Sequence, residues 1–426
     1  MDALPPASEI ARSVELQARA LRSTAEIATM KLAVMPHLPY WAIRTRGWQM
    51  ATALGSLPGV ECHFLVWGTT ETTIESRLRR GADTLCRAVT NLWPRPSVRR
   101  AGITVHTLPL FDTRLVSAGM PLRLIQAHNR IRLTRFLEEL GPDWFITAGG
   151  HTAPVRWGSG PPTVVDLFDD HFEGLADRST LERIAPDAAR AYLDADLLLA
   201  CSQSITRKYS AILEREVHYV PNGFEGVAGA ASPGEKAAAR HRLGLPANAR
   251  VVGYVGNHGR HAGISFLLRV ASRLRERDPG VVVALAVPSA DRRERRAAEA
   301  HAAVRALGPI PPEEVPQFLG ACDIGVLPTV TTDFRSHAMP LKILEYGARR
   351  LNVVATPLRE LSLQRFPHVR LCGFDDVEGW VLAVEEALRT PFNPAWNEAL
   401  DQFAWPRIAA GLFALLAERT PSKRSQ

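Results

Sequence analysis

Short apolar runs alternate with segments of helical periodicity along most of this chain. In the first half, strand-like runs rich in Val, Ile, Leu and Phe occur at 31–35, 63–68, 102–109, 143–150, 162–170 and 197–201. Apolar residues at helical spacing separate several of these runs, most clearly at 121–141, where the predicted helix ends at Gly141. Strands that alternate with helices in this way predict a doubly wound parallel sheet.

A second alternating series begins at residue 250. Its predicted strands lie at 250–256, 280–288, near 308, 323–328 and 352–357. Its predicted helices lie at 263–276, 291–306, 312–320, 340–350 and 377–389. The stretch before it is rich in Gly, Ala and Pro and lacks strand periodicity, which indicates a linker at 223–249. We therefore predict an α/β chain with two Rossmann-like domains, at 31–222 and 250–400. Ligands of open α/β sheets bind at the carboxyl ends of the strands, so we expect a cleft there.

Length and composition agree with two globular domains. The chain has 426 residues, of which 46% are hydrophobic and 22% charged. No apolar run approaches the ~18 residues that a membrane-spanning helix needs. Residues 1–30 mix charged residues with alanines and do not resemble a secretory signal, so we expect an N-terminal extension there. Five scattered cysteines without metal-type spacing indicate reduced thiols in a cytoplasmic protein, and we predict no metal site.

The net charge of +7 could face nucleic acid, a membrane or an anionic substrate. The arginines are spread along amphipathic helices such as 266–277, where a solvated face explains them. Zinc-finger, basic-zipper and aromatic RNA-binding signatures are absent, so we expect no nucleic-acid partner. An anionic small substrate and a peripheral contact with an acidic membrane surface, at the inner membrane face, both remain open.

The stretch PLKILE at 340–345 places a charged pair among the apolar residues of a predicted helix. Pro340 suits the first helical position, and free amides at a helix N-terminus form an anion site. Lys342 adds a full charge to that first turn, and Glu345 lies three residues on, on the same face. The pair could hold the phosphates and ribose hydroxyls of a nucleotide, or it could be a solvated ion pair. The residues by themselves favour neither interpretation.

A glycine-rich turn at 253–263 follows one predicted strand and precedes a helix. Gly256 and Gly259, with Asn257 between them, let the backbone approach phosphate oxygens closely, and Arg260 could bind a phosphate. The spacing does not match the dinucleotide-binding G-x-G-x-x-G pattern. A phosphate loop and a simple tight turn therefore fit equally well.

Three aspartates cluster at the end of the predicted strand 162–170. A carboxylate of Asp166, Asp169 or Asp170 that faces the cleft could act as a general base or stabilise a cationic sugar transition state. One of them could instead cap a helix, and the D-x-x-D-D spacing could hold a divalent ion, although no further carboxylate motif supports this. The site of chemistry in the first domain is predicted here.

The loop at 35–49 follows the first predicted strand and carries aromatic and basic residues. His37, Trp41 and Arg44 suit sugar stacking and anion binding, so we place them on the acceptor side of the cleft. Tryptophan in such a loop could equally belong to the core.

In this order, the motifs resemble those of GT-B glycosyltransferases. The likeness is to the large retaining group that often carries an E-x7-E motif, the glycosyltransferase family 4-like group. The segments ADLLLACSQSITRKY and VHYVPNGFE resemble the part that closes the N-terminal domain of that family. VVGYVGNHG, MPLKILEYGARRLNVVATPLREL and FAWPRIA match its C-terminal domain in order. The resemblance covers about residues 31–415 and is strongest from 195 onward.

The resemblance implies a nucleotide-sugar donor in the C-terminal domain, an acceptor in the N-terminal domain, and no further cofactor. Lys342 matches the diphosphate contact of the family, Glu345 its ribose contact, and 253–260 its glycine-rich phosphate loop. Met339 and Leu341, beside Lys342, belong to the same expected donor site. The C-terminal segment at 401–426 is expected to contain a helix that crosses back to the first domain, with its tryptophan buried.

The chain departs from the family pattern at one position. His337 stands where the first glutamate of E-x7-E is expected. A lysine followed three residues later by a polar ribose ligand also resembles the xanthan glucuronosyltransferase, an inverting enzyme with an aspartate base. Retention and inversion both remain open, with Asp169 as the candidate base and Asp170 as the second choice.

These observations predict a cytoplasmic glycosyltransferase of polysaccharide biosynthesis. It would move a sugar, of hexosyl type, from a nucleotide-sugar donor to a glycan, lipid-linked or small-molecule acceptor. A nucleotide-sugar 2-epimerase of the same fold would call for further acid/base carboxylates in the C-terminal half, where no clear set exists. A non-catalytic GT-B scaffold is the remaining alternative, and His337 in place of glutamate favours it.

Overall fold

The protein folds into two domains, each built on one open sheet. The computed structural model describes residues 29–36, 45–67, 96–111, 121–148, 160–172, 175–226, 228–256, 260–287, 292–332 and 336–420. None of the helices in these ranges combines the length and the apolar character that crossing a bilayer requires.

The N-terminal domain contains an eight-stranded sheet. Its strands are β1 (Met30–Met35), β2 (Val60–Trp67), β3 (Val98–Arg100), β4 (Ile103–Leu108), β5 (Trp144–Ala148), β6 (Thr163–Leu167), β7 (Leu197–Ala200) and β8 (His218–Tyr219). They lie in the order β3-β4-β2-β1-β5-β6-β7-β8. Neighbouring strands are parallel except for the hairpin of β3 and β4 at one edge.

Helices cover both faces of this sheet. They are α1 (Arg46–Gly55), α2 (Leu122–Leu140), α3 (Arg178–Ile184), α4 (Pro186–Asp194) and α5 (Gln203–Leu213). On β1, Leu32 and Val34 pack in the apolar cluster that includes α1. Ala33 and Met35 point to the opposite face and join the cluster that includes α2. Because successive side chains alternate across a strand and both faces are covered, β1 is continuously apolar from Leu32 to Met35.

The C-terminal domain contains a six-stranded parallel sheet. Its strands are β9 (Arg250–Val255), β10 (Val281–Ala286), β11 (Val304–Ala306), β12 (Ile324–Leu327), β13 (Asn352–Ala355) and β14 (Val369–Leu371). They lie in the order β11-β10-β9-β12-β13-β14. Counted along the chain from β9, this is the 3-2-1-4-5-6 order of the Rossmann fold, with its switch point between β9 and β12.

Eight α-helices are described with this sheet. They are α6 (Pro233–Arg242), α7 (Ile264–Arg277), α8 (Arg292–Glu299), α9 (Val315–Ala321), α10 (Leu341–Ala348), α11 (Arg359–Gln364), α12 (Val377–Arg389) and α13 (Trp396–Asp401). Short 3-10 segments lie at Arg260–Ala262 and Pro312–Glu314.

The last helix, α14 (Trp405–Arg419), returns to the N-terminal domain and packs against α1. Trp405 is buried in the same apolar cluster as β1 and α1. The chain passes between the domains twice, and an isolated parallel bridge between Phe224 and Ala404 joins these two segments. Gly223 is needed beside it, because a Cβ at that position would lie 2.7 Å from the Trp405 ring.

Three local expectations differ from the structure. The predicted linker at 223–249 contains α6, which a capping box between Ser232 and Glu235 starts. The helix expected over 291–306 ends at Glu299, and β11 follows it directly. Pro340 lies at the N-cap of α10, one position before the first helical residue. Alanine favours helices and gives no stop signal, so the alanines at 237–239 support the helix within the predicted linker, and those near 300 made the second helix seem longer than it is.

Candidate functional site at the domain cleft

The two loops that border the switch point of the C-terminal sheet form the centre of the candidate site. The turn that begins at Gly256 follows β9, and the segment at 328–340 follows β12 and leads into α10. Because the carboxyl ends of parallel strands lie at one edge, both loops open on the same side of the sheet. Ligands of Rossmann-type sheets bind at this place.

Lys342 lies directly over Gly256. A Cβ at position 256 would lie 2.5 Å from the Lys342 Nζ atom, and the φ of Gly256 is 140°, which L side chains rarely adopt. The Nζ atom also stands 5.8 Å from the centroid of the Tyr254 ring. The structure thus brings together the two segments for which phosphate contacts were predicted.

The N-terminus of α10 adds to this positive site. Pro340 at its N-cap has no side-chain oxygen to offer, and no side-chain cap hydrogen bond is made there. Lys342 lies in the first turn of this helix, and the helix dipole favours negative charge at this end. Glu345 lies one turn further along α10 and is half-buried.

The other predicted donor residues differ in their exposure to solvent. Met339 is buried, and its carbonyl oxygen accepts a hydrogen bond of 3.4 Å from Asn222 Nδ2. Leu341 is exposed. Arg260 begins a 3-10 segment, but its side chain, together with Asn257 and Gly259, lies outside the description.

The predicted acceptor-side residues His37, Trp41 and Arg44 also fall outside the described residues. β1, which precedes them in the sequence, lies next to β5 at the switch point of the N-terminal sheet. Their assignment stays a prediction.

Asp166 forms a buried ion pair with Arg46. Its two carboxylate oxygens accept hydrogen bonds from Arg46 Nε at 2.8 Å and from a terminal nitrogen of the same guanidinium at 2.9 Å. Arg46 also donates to the carbonyl oxygens of Val220 and Pro221, each at 2.7 Å, and to Asn222 Oδ1 at 3.2 Å. Burial by itself lowers the pKa of Arg46, but the Asp166 carboxylate outweighs this and raises it. Asp166 therefore holds the cleft edge together.

Asp169 and Asp170 have different environments although they are neighbours. Asp169 is half-exposed, and one of its carboxylate oxygens accepts from the amide of Asp170 at 3.1 Å. The Asp170 side chain is fully buried, with Lys208 Nζ at 2.7 Å and the Tyr209 hydroxyl at 3.1 Å. This position contradicts the second choice of Asp170 as a base, because a buried, paired carboxylate does not reach an acceptor in the cleft. Asp169 remains the candidate.

His337 connects the two domains. Its Nδ1 atom lies 2.6 Å from Ser204 Oγ on α5, and its Nε2 atom lies 3.9 Å from Asp170 Oδ2. The residue is buried and precedes α10 by four positions. The imidazole thus sits where the resemblance expects a carboxylate, next to the aspartate cluster of the other domain.

Glu360 makes a second connection between the domains. Its carboxylate oxygens accept from the amides of Gln203 at 3.0 Å and Ser204 at 2.9 Å, the first two residues of α5. Gln364 donates to the same carboxylate at 2.9 Å. Burial raises the pKa of Glu360, and these hydrogen bonds oppose that rise. A residue of the C-terminal domain therefore caps a helix of the N-terminal domain.

Asn222 and Glu360 were not selected from the sequence as cleft residues. Arg46 is one of the arginines in the loop at 35–49 that suit anion binding, but it was not expected to pair with Asp166. A signal existed for Glu360, since a glutamate follows a proline-containing turn at the end of a buried strand. For this pairing of Arg46 no local signal existed, because its partners lie 120 and more residues away.

Comparison with known proteins gives this architecture a family context. Residues 249–390 match the family model "Glycosyl transferases group 1". The matched segment, one third of the chain, is similar to glycosyltransferase group 1 domains. It contains the Gly256 turn, Lys342, Glu345 and Glu360, so the predicted donor residues all lie within the matched range.

Curated relatives match only part of the chain. A D-inositol 3-phosphate glycosyltransferase of Corynebacterium urealyticum is 35% identical over 29% of this chain and 31% of its own length. The enzyme of the same name from Corynebacterium aurimucosum is 27% identical over 42% of this chain and 46% of its own length. A putative teichuronic acid biosynthesis glycosyltransferase of Bacillus subtilis, TuaH, is 35% identical over 21% and 23%. The chain spans less than half the length of these relatives.

Solved structures resemble the whole two-domain arrangement. A glycosyltransferase of Rickettsia africae has a TM-score of 0.62 at 11% identity and covers 94% of this chain and 100% of its own. WaaG, a glycosyltransferase involved in lipopolysaccharide biosynthesis, has a TM-score of 0.59 at 13% identity and covers 90% and 99%. Anabaena HepE, solved with UDP and glucose, has a TM-score of 0.54 at 16% identity and covers 92% and 95%. The predicted GT-B fold is confirmed.

We expect Asp170→Asn and Asp169→Asn to separate structural from cleft-facing carboxylates. The first change leaves Lys208, whose side chain is only 13% exposed, without its charged partner, and should lower the free energy of unfolding by about 3 kcal/mol. The second keeps an acceptor oxygen for the Asp170 amide and should change it by less than about 0.5 kcal/mol. Urea unfolding of both variants measures the difference. Equal losses would show that Asp169 also has a structural role.

Proposed function

We propose that this protein transfers a sugar from a nucleotide-sugar donor to an acceptor bound in the N-terminal domain. The observation that carries the proposal is Lys342 packed over Gly256 at the switch point of a domain similar to glycosyltransferase group 1 domains. A lysine, a glycine turn and a helix N-terminus together suit a diphosphate. HepE shares the fold and was solved with UDP and glucose, which agrees with a nucleotide-sugar donor.

In the proposed complex, α10 holds the nucleoside diphosphate. Its first amides and the Lys342 ammonium group bind the phosphate oxygens, while Glu345 accepts hydrogen bonds from the ribose hydroxyls. When the bond between the anomeric carbon and the phosphate oxygen breaks, its electron pair stays on the phosphate. Negative charge then increases beside Lys342, so these contacts are stronger in the transition state than in the bound donor.

Asp169 is the proposed general base. It lies at the carboxyl end of β6, on the segment that His337 links to the donor domain through Asp170. Its carboxylate would take the proton of the acceptor hydroxyl as that oxygen forms a bond to the anomeric carbon. The products are the glycosylated acceptor, a protonated Asp169 and the nucleoside diphosphate.

The proposed acceptor is a glycan, a lipid-linked glycan or a small molecule, in polysaccharide biosynthesis within the cytoplasm. The names of the partial relatives support this range, since they include an inositol phosphate, teichuronic acid and lipopolysaccharide. No nucleic acid and no additional cofactor enter the proposed reaction.

We expect Lys342→Ala and Glu345→Ala to affect ligands differently. Losing Lys342 removes a charged contact worth roughly 1.5–3 kcal/mol, so UDP should bind more weakly and uridine equally well. Losing Glu345 removes a ribose acceptor, so both ligands should bind more weakly. Calorimetric titration of both ligands into each variant tests this, and the melting temperature should change little.

The same titrations separate the alternative functions. Slow hydrolysis of a bound UDP-sugar supports a transferase, whereas interconversion of two UDP-sugars would indicate an epimerase. Failure of the wild-type protein to bind any of a panel of nucleoside diphosphates would favour a non-catalytic scaffold. Equal UDP affinity in the wild type and both variants would remove the donor assignment.

Asp169→Asn should slow consumption of the donor sugar by about 100- to 10,000-fold, because an amide does not accept a proton at neutral pH. The affinity for UDP should stay nearly the same, since Asp169 lies in the other domain. Nucleotide release is the measurement, with Asp143→Asn, at the opposite end of the sheet, as a matched control. Full turnover in the Asp169 variant would exclude it as the base.

We further propose that the N-terminal domain contacts an anionic membrane surface through α2. Leu124 and Ile131 are 62% and 53% exposed and lie two turns apart on one face. Arg123, Arg130 and Arg135 are exposed beside them. Exposed apolar side chains that lie between basic ones suit the interface of acidic lipids. This contact would keep a lipid-linked acceptor near the cleft.

Replacing both Leu124 and Ile131 with Gln should weaken binding to vesicles that contain phosphatidylglycerol by about tenfold or more, since each buried aliphatic side chain contributes about 1.5 kcal/mol or more. Vesicle co-sedimentation measures this. Leu382→Gln, which changes an equally exposed leucine on α12, should have no effect. Equal binding to purely zwitterionic vesicles would contradict the role of the arginines.

A further inference from the structure

A cavity of 470 Å³ lies where α5 of the N-terminal domain faces α11 and His337 of the C-terminal domain. Its lining includes three cationic side chains, Arg207, Lys208 and Arg359, together with Ser204 and His337. Lys342 and Glu345 of the proposed donor site do not line it. The cavity is large enough for a small ligand, and pockets between domains are common binding sites.

The cations of this cavity differ in what they already bind. Lys208 is committed to Asp170 and also donates to the carbonyl oxygen of Phe172 at 3.2 Å. Arg207 and Arg359 are exposed, and neither guanidinium group makes a hydrogen bond to another described residue. The charge of Arg207 acts on Glu360 and opposes the rise in its pKa that burial causes, but the Glu360 oxygens already face the α5 amides. Two guanidinium groups, one from each domain, therefore border the same cavity.

His337 leaves the cavity wall without a negative charge at this position. At the position where the family pattern has a glutamate, this chain has a side chain that carries no negative charge. A carboxylate there would repel an anion bound next to it. The imidazole instead binds Ser204 Oγ and stands near Asp170, so the wall of the cavity that it forms is neutral or positive.

The rest of the lining is apolar. Leu175, Ala176, Ala211, Ile212 and Leu363 complete the wall. Apolar walls with two guanidinium groups at one place fit a ligand with an apolar part and one strongly anionic group. Guanidinium binds phosphate and carboxylate through two parallel hydrogen bonds, so either group would suit.

We propose that this interdomain cavity binds the anionic group of the acceptor, a phosphate or carboxylate held between Arg207 and Arg359. The identity of this ligand as the acceptor rests on the proposed transferase activity, whereas its binding as an anion does not. One arginine comes from each domain. The bound anion would therefore favour the arrangement in which α5 meets α11 over any arrangement that separates these helices.

Hexyl phosphate is the probe that tests the cavity, with hexanol as the uncharged comparison. Titrations are made with UDP at saturation, so that the phosphate cannot bind at α10, and are repeated with Lys342→Ala. Hexyl phosphate should bind the wild type and hexanol much more weakly. Arg207→Gln and Arg359→Gln should each lower the affinity for hexyl phosphate by about tenfold or more, because each removes a charged hydrogen-bond donor.

Matched controls make the result specific. Arg190→Gln changes an exposed arginine of α4 that does not line the cavity, and should leave the affinity unchanged. His337→Glu should weaken binding of hexyl phosphate, whereas His337→Gln should retain it. Arg207 also stabilises the charge of Glu360, so the Arg359 variant provides the cleaner test. Wild-type affinity in the Arg359 variant, or no binding of hexyl phosphate at all, would overturn the proposal.

The two proposals can fail separately. If UDP does not bind but hexyl phosphate still depends on Arg207 and Arg359, the cavity is an anion site and the transferase proposal fails. If UDP binds and depends on Lys342 while hexyl phosphate ignores both arginines, the donor site stands and the cavity assignment is wrong.

Discussion

Glu360 joins the two domains by placing a fully buried carboxylate against the first amides of α5. Removing an ionised carboxylate from water costs several kcal/mol unless hydrogen bonds replace the lost hydration. The Gln203 and Ser204 amides and the side chain of Gln364 supply those bonds, and the helix dipole of α5 favours the charge. The contact forms only when α11 and α5 meet, so it selects one relative position of the two domains.

The other contacts across the cleft depend on this relative position of the two domains. With α5 held against α11, Ser204 reaches His337, and His337 approaches Asp170. On the other side of β6, Arg46 binds Asp166 and Asn222, and Asn222 reaches the carbonyl oxygen of Met339 just before α10. Two polar connections therefore run from the carboxyl edge of the N-terminal sheet to the segment before α10.

Such connections explain why several charged residues of the cleft are unsuited to chemistry. Asp166 and Asp170 are buried and paired, so each stabilises the arrangement of the cleft and is not available to a substrate. Asp169 is the half-exposed member of the cluster. On the donor side, Lys342 packs over the glycine turn at the switch point of the sheet, where the proposed donor phosphates would lie. The functional proposals depend on this division between paired and accessible charges.

The sequence by itself determined the elements and pointed to the segment for which phosphate contacts are proposed. Strand and helix periodicities of 2 and 3.6 residues are local properties, so the two Rossmann-like series could be predicted, whereas the crossing of α14 was expected from the family resemblance. The glycine at 256 and the PLKILE helix were also readable, because a turn that needs positive φ and a helix N-terminus have local signatures.

Only the tertiary structure decided which charges pair. Asp169 and Asp170 are adjacent in sequence, and nothing local predicts that Lys208 and Tyr209 bury one of them. Arg46 and Glu360 find their partners more than 100 residues away, and the cavity between Arg207 and Arg359 exists only after α5 and α11 meet. Periodicity is fixed by neighbours along the chain, whereas the burial and pairing of a charge depend on elements that only folding brings together.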